Sequence, residues 1–158
     1  MFFLTHKQIS KSLVNASTRG VKIRIILDAT GATNAYSKHR YLRDHGIPVK
    51  VENWGGKMHM KAAVIDQRHL VFGSMNWTAA GESKNDENMI IAKDAPRQAQ
   101  TLTLFFEELW ASIPDRWQQG APRPESTDSG TACHDALDND FDGAIDAADP
   151  GCARESSN

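Results

Sequence analysis

His59, Met60 and Lys61 open the most informative stretch of this 158-residue chain. Asp66 follows after four residues, and Gly73-Ser74-Met75-Asn76 after six more. In an extended segment alternate side chains share a face, so His59 and Lys61 point the same way, about 7 Å apart along the chain. Ser74 and Asn76 share a parity in the same manner. If the two stretches pair as strands, an imidazole, an ammonium, a hydroxyl and an amide meet at one strand end. That set suits a phosphodiester: cation and amide hold its oxygens while the imidazole attacks phosphorus. Singly, each residue has a plainer structural role, as a fold histidine, a solvated lysine or a glycine-serine turn. The combination at this spacing carries the chemistry.

A second set lies near the C-terminus. Asp138, Asp140, Asp142, Gly143, Asp146 and Asp149 occupy positions 1, 3, 5, 6, 9 and 12 of a twelve-residue loop, the spacing of an EF-hand. Oxygens at alternate positions can wrap a hard cation, and Ala144 would add its backbone carbonyl. Asp in place of Glu at position 12 shortens the reach and lowers the expected affinity. The flanking helices of an EF-hand are missing, and Cys133 and Cys152 bracket the loop instead. A disordered acidic tail is the alternative.

The elements that must position these residues follow from periodicity and turn chemistry. Thr5 and Gln8 read as a capping box for a helix carrying Ile9, Leu13 and Ala16, closed by Gly20. Val21 to Asp28 reads as a strand, Thr33 to His45 as a helix stopped by Gly46, and Ile47 to Val51 as a short strand. Helix and strand alternating in this way predict parallel strands joined by crossovers. Three further strands are expected at Met60 to Asp66, His69 to Ser74 and Glu87 to Ala92. Asp94 and Pro96 start a last helix, with Ala99, Leu102, Phe105, Phe106, Leu109, Trp110 and Ile113 as its core face rather than a base-stacking platform. Gly120 to Gly130 is rich in Pro, Ser, Thr and Gly and reads as a linker.

Charge divides the chain at the same place. Residues 1–120 hold 16 Lys and Arg against 11 Asp and Glu, a balance of +5; residues 121–158 hold 2 against 9, a balance of −7. The hydrophobic share of 40% excludes a wholly disordered chain, and no apolar run is long enough for a membrane-spanning helix. Both cysteines lie in the acidic part, which favours a local disulfide over two free thiols and points to an oxidising compartment. Met1 to His6 lacks the charged and apolar regions of a signal peptide.

The H-x-K, Asp and G-S-x-N pattern resembles the active-site motif of the phospholipase D superfamily. Trp77-Thr78-Ala79-Ala80 and Lys84-Asn85-Asp86-Glu87-Asn88 extend the likeness, as do Arg19-Gly20-Val21-Lys22-Ile23 and Ile25-Ile26-Leu27-Asp28. Over residues 3–118 the chain is similar to the short bacterial endonuclease branch. The resemblance implies that His59 is the nucleophile forming a phosphohistidine. Lys61 and Asn76 would hold phosphate oxygens, Ser74 would support the site by hydrogen bonding, and Glu87 would hydrogen-bond and orient His59. Asp66 would act through local structure, and no cofactor or metal would be needed for catalysis. The family mechanism uses two histidines, one to attack and one to protonate the leaving oxygen. His6, His39, His45, His69 and His134 lack the surrounding pattern, so the second copy is expected from a homodimer with a shared site. The resemblance also implies a helix and a strand ahead of Phe2-Phe3. The expectation is therefore an N-terminally incomplete domain, begun at an internal methionine, with a sheet position empty near its centre. The C-terminal segment resembles Asp-rich calcium-binding repeats of secreted bacterial proteins, with the disulfide as clamp and the calcium structural and remote from the chemistry.

The expected fold is α/β, a mixed sheet flanked by helices over residues 1–118, then a linker at 119–131 and a disulfide-closed calcium loop at 132–153. The expected function is hydrolysis of a phosphodiester in a phospholipid or nucleic acid, by a secreted or periplasmic protein. Lys38, Arg40, Arg43 and Lys57 are candidates for a polyanion path, though a solvated face suits most of them. A metal-independent endonuclease is the narrower alternative. The rival of another class is a non-catalytic fragment acting as a calcium-dependent surface module.

Overall fold

The element boundaries are set by side chains that satisfy the open ends of the helices. In the computed structural model, which describes residues 1–153, the first helix (α1) spans Lys7–Thr18. Its cap is His6 rather than Thr5: His6 Nδ1 accepts the N–H groups of Gln8 (3.1 Å) and Ile9 (3.3 Å). His6 Nε2 then pairs with Glu82 at 2.8 Å. At the other end Gly20 takes φ +94°, a left-handed conformation that a side chain would strain, and Val21 N–H reaches back to Ala16 O.

Strand β1 is Ile25–Leu27, shorter than the stretch from Val21 suggests. The single helix expected from Thr33 to His45 is two pieces, α2 at Ala29–Thr33 and α3 at His39–Asp44. Asp28 Oδ1 caps α2 through Gly31 N–H (3.0 Å), which pulls the helical start forward. Asn34 Oδ1 accepts Tyr36 N–H (2.9 Å), a local turn that competes with helix continuation. Gly46, at φ +77°, ends α3, and Ile47 N–H bonds Leu42 O at 3.0 Å. Strand β2, Val49–Val51, then pairs in parallel with β1, Ile26 opposite Lys50.

The second sheet is an antiparallel meander of β3 (Ala62–Ile65), β4 (His69–Gly73) and β5 (Met89–Ala92). Asp66 and Gln67, at φ 52° and 49°, lie in the three-residue turn, completed by Arg68, between β3 and β4. A short helix, α4 (Ala79–Ser83), lies between β4 and β5, and α5 (Pro96–Ser112) packs across β3 and β4. Of the face expected on α5, Ala99 and Ile113 are buried and Phe106, Leu109 and Trp110 partly so. Phe105 is 42% exposed, because only the side of the helix toward β3 and β4 is covered.

Met1 to Thr5 joins the two sheets. Met1 O accepts Asp28 N–H on the β1 side, while Phe3 O accepts Trp77 N–H and Trp77 O accepts Thr5 N–H on the other. Leu4 and Trp77 form a parallel bridge. The main core gathers Leu4, Leu27, Leu42, Ile47, Val49 and Val51 beneath this junction. The fold is thus mixed α/β, with parallel and antiparallel sheets and flanking helices, and no described helix is long and apolar enough to cross a membrane.

The stretch read as a linker is packed. Pro122, Pro124, Glu125, Ser126 and Ser129 are buried. Glu125 accounts for this: its carboxylate accepts the N–H groups of Asn139 (2.5 Å) and Asp146 (2.6 Å), so 120–130 is an integral wall of the tail. Cys133 and Cys152 form a disulfide with Cα atoms 5.6 Å apart.

Candidate active site

Two devices place His59. The loop before β3 is fixed by Asp28, fully buried, whose Oδ2 accepts Met58 N–H at 2.8 Å. The same carboxylate caps α2 through its other oxygen, so one side chain ties the strand β1 terminus to the residue before His59. Glu52, also buried, braces the layer beneath by accepting Ala29 N–H (2.8 Å) and Trp54 N–H (3.0 Å), and burial pushes its carboxyl up to about 7. Glu52 carries no motif signal; Asp28 belongs to the Ile25-Ile26-Leu27-Asp28 stretch that extends the family likeness, but that stretch assigns it no role.

His59 and Lys61 do share a face. Lys61 Nζ lies 3.0 Å from His59 Nδ1 and 2.7 Å from His59 O. Lys61 is only 7% exposed, and burial draws its ammonium below the usual lysine range. The Phe2 ring lies beside both: 4.7 Å from the imidazole centroid and 5.1 Å from Lys61 Nζ. An ammonium donating to Nδ1 leaves the proton of the neutral ring on Nε2, and His59 as a whole is exposed.

Ser74 and Glu87 form a second pair. The Ser74 hydroxyl donates to Glu87 Oε2, and Asn85 Nδ2 donates to Oε1 at 3.1 Å. These bonds, with Ser74 first and Lys61 contributing, hold the Glu87 carboxyl below its ordinary value. The expected hydrogen bond from Glu87 to His59 is replaced: Glu87 is engaged by Ser74 and Asn85, and Lys61 occupies His59 Nδ1. Ser74 likewise serves the β4–β5 junction, accepting Asn88 N–H at 3.0 Å. Gly73 is required there, since a Cβ on it would run into Asn88 O. Asn76 Oδ1 accepts Phe3 N–H at 3.2 Å, which places its side chain by the Met1–Thr5 segment.

Asp66 does not join the cluster. It sits in the turn at the far end of β3, about 16 Å along the strand from Lys61, where its tolerance of positive φ is its evident use. Arg43 is not a free surface cation either: its guanidinium donates to Val49 O, Trp117 O and Gln119 O. Lys57 Nζ bonds Thr30 Oγ1 (2.7 Å) and Asn139 O.

The tail residues separate into groups. Asp138, Asp140 and Asp142 bring carboxylate oxygens within 4.8 Å of one another, and Asp140 and Asp149 do the same with Glu125. Asp146 is turned away, its two oxygens accepting Asp135 N–H and Ala136 N–H at 3.1 Å each. Ala144 donates its N–H to Asp142 Oδ1 at 2.8 Å. Glu125 escaped the sequence pattern because it lies outside the twelve-residue loop.

Comparison with known proteins bears on this arrangement. Residues 1–110 match the family model described as cardiolipin synthase, PLD-like domain. A phospholipase D of Rickettsia conorii is 40% identical over 86 residues, 54% of this chain and 43% of that protein. The human mitochondrial cardiolipin hydrolase is 32% identical over 108 residues, covering 68% of this chain and 41% of the relative. The chain spans less than half the length of these curated relatives. Among solved structures, Nuc from Salmonella typhimurium, a phospholipase D family member, superposes with a TM-score of 0.69 at 30% identity, covering 72% of this chain and 76% of that one.

Proposed function

The chain belongs to the phospholipase D-like family, and on that premise we propose that it hydrolyses a phosphodiester with His59 as nucleophile. The observation that carries this reading is the contact of Lys61 with His59: a buried cation and an exposed imidazole are held together where a phosphate can reach both. Nε2 attacks phosphorus as the bond to the protonated leaving oxygen breaks, and water then displaces the histidine from the phosphohistidine; Lys61 and Asn76 hold the non-bridging oxygens as charge builds on them. Attack from Nε2 needs a ring that carries its proton on Nδ1. Glu87, a carboxylate electrostatically coupled to Lys61, is the acceptor suited to that form once it exchanges its bond from Ser74. The ring as held by Lys61 carries its proton on Nε2, the form that protonates a leaving oxygen. A second copy of the chain supplies one histidine of each kind at a shared site, and the exposed Phe72, Met89, Ile90 and Ile91 on the meander offer apolar area for such a partner. The chemical step needs no metal, and the disulfide supports a secreted or periplasmic setting.

The test compares wild type with His59→Ala on a chromogenic phosphodiester, plasmid DNA and phosphatidylcholine vesicles, in EDTA and in calcium. Wild type should turn over the chromogenic diester and one of the two natural substrates, with the variant slower by about a thousandfold. Equal turnover overturns the site, and full activity in a sedimenting monomer overturns the shared-site reading.

A further inference from the structure

The second cluster of acids is more than a run of exposed carboxylates. Glu125 and Asp149 are 1% and 2% exposed, and each offers an oxygen within 4.8 Å of the other and of Asp140. Among the described residues no Lys, Arg or His forms a salt bridge with any of the three. Asp149 Oδ2 is buried with no hydrogen-bond partner at all. A buried carboxylate oxygen without a donor is a costly arrangement unless something positive occupies the space beside it. Every available ligand atom is an oxygen, the donor type that a hard cation such as calcium takes.

The cluster is also wired to the loop that carries His59. Glu125 Oε2 accepts the N–H of Asn139, the residue next to Asp140. Asn139 is buried, and its Oδ1 accepts Gly56 N–H at 2.9 Å. Its carbonyl accepts from Lys57 Nζ and from Thr30 Oγ1. Lys57 Nζ also lies 4.7 Å from the Phe141 ring centroid. Gly56 and Lys57 are followed directly by Met58, held by Asp28, and then by His59.

We propose that Glu125, Asp140 and Asp149 hold one calcium ion, and that this ion, by fixing Asn139 against Gly56 and Lys57, tethers the His59 loop. This goes beyond the EF-hand-like spacing in two respects: a ligand comes from outside the loop, and the ion is coupled to the catalytic side rather than remote from it. Its consequence for turnover rests on the phosphodiesterase reading; its binding and its tethering do not. Drawn together by the ion, the three carboxylates lock Asn139. Without it their mutual repulsion loosens the Asn139 grip, and the loop keeps only its bonds to Asp28, Glu52, Thr30 and Thr131. Asp149→Asn removes a ligand charge while keeping the shape and the Oδ1 acceptor, so it tests the site without dismantling the tail.

The experiment strips the full chain with EDTA and titrates calcium chloride by calorimetry. It follows amide hydrogen exchange across residues 53–59 and turnover of a chromogenic phosphodiester. Wild type should bind one calcium, with magnesium at least tenfold weaker. Asp149→Asn and Glu125→Gln should each weaken calcium binding at least tenfold. Calcium should slow exchange at residues 53–59 and raise turnover at least threefold in wild type, and do neither in Asp149→Asn. No calcium binding, equal affinity for magnesium, or unaltered binding by a folded Asp149→Asn protein overturns the site. Calcium binding that leaves exchange at 53–59 unchanged overturns the tether. If His59→Ala turns over like wild type while binding and exchange behave as stated, the reading of His59 as nucleophile fails and the tether stands.

Discussion

Leu4, Leu27, Leu42, Ile47, Val49 and Val51 are all but inaccessible in the body, whereas the most buried side chains of residues 122–149 include Glu125, Ser126, Ser129, Asn139 and Asp149. The body removes apolar surface from water, and its buried charged groups are anchored: Asp28 and Glu52 by backbone N–H groups, Lys50 by the carbonyls of Trp110 and Ile113. The tail has little apolar material inside and leaves Leu137, Phe141 and Ile145 largely in solvent. Its one short helical turn among the described residues is Asp146–Ala148. A segment built this way has a weak hydrophobic driving force, so covalent closure and side-chain-to-backbone hydrogen bonds must stand in for a core. The difference shows that one chain can hold two kinds of interior, and that burial alone says little about what stabilises each.

Changes confined to one interior should therefore leave the other intact. The largest effect is expected from Lys61→Met, which removes the cation at His59 Nδ1 but fills the same buried space. Turnover should fall by about a thousandfold, with little change in melting temperature because burying the ammonium was itself costly. A large melting loss with modest kinetic change would mean that Lys61 belongs to the body's architecture. Leu42→Ala should destabilise the body by about 3 kcal/mol in urea unfolding, through lost burial and the cavity left behind, with the tail's exchange protection kept. Reducing Cys133–Cys152, which are 19 residues apart, should relax the tail by about 3 kcal/mol. Exchange protection at residues 132–152 should then vanish while the body's unfolding midpoint shifts only slightly; joint collapse would merge the two interiors into one.

The smallest of these effects concerns pH. Burial, with Arg43 and Arg40 adding to it, lowers His39 to about 4. A base whose folded value is depressed contributes stability above its unfolded value of about 6.5, lost as pH falls toward 4. The loss is about 2 kcal/mol after allowance for solvent near the ring. Wild type should be more stable than His39→Gln at pH 7, and the gap should narrow by that amount at pH 4. A constant gap across that window would remove His39 from the acid response.

Much of the site was legible because its information is local. The spacing from His59 to Lys61 needs only an extended backbone to place both on one face, and Gly73 marks a close backbone approach. Asp28, Glu52 and Glu125 were illegible for the opposite reason. Their partners Met58, Ala29 and Asn139 stand at positions that no periodic pattern links to them. His6 was missed as a cap because histidine caps through a ring nitrogen, outside the usual hydroxyl and carboxylate preferences. The helix from Thr33 was misread as continuous because Asn34 spends its side chain on Tyr36 N–H, a choice that pattern does not display.

By itself, then, the sequence determined the order of strands, the division into a basic body and an acidic tail, the His59, Lys61, Ser74 and Asn76 pattern and the cysteines close enough to pair. These depend on composition and on residues near one another in the chain. Only the tertiary structure decided that the supposed linker is an inner wall, that Glu87 holds Ser74 while Lys61 holds His59, and that Asn139 reaches across to Gly56 and Lys57. Those outcomes are set by which buried polar group finds which distant partner, a competition settled by packing in three dimensions.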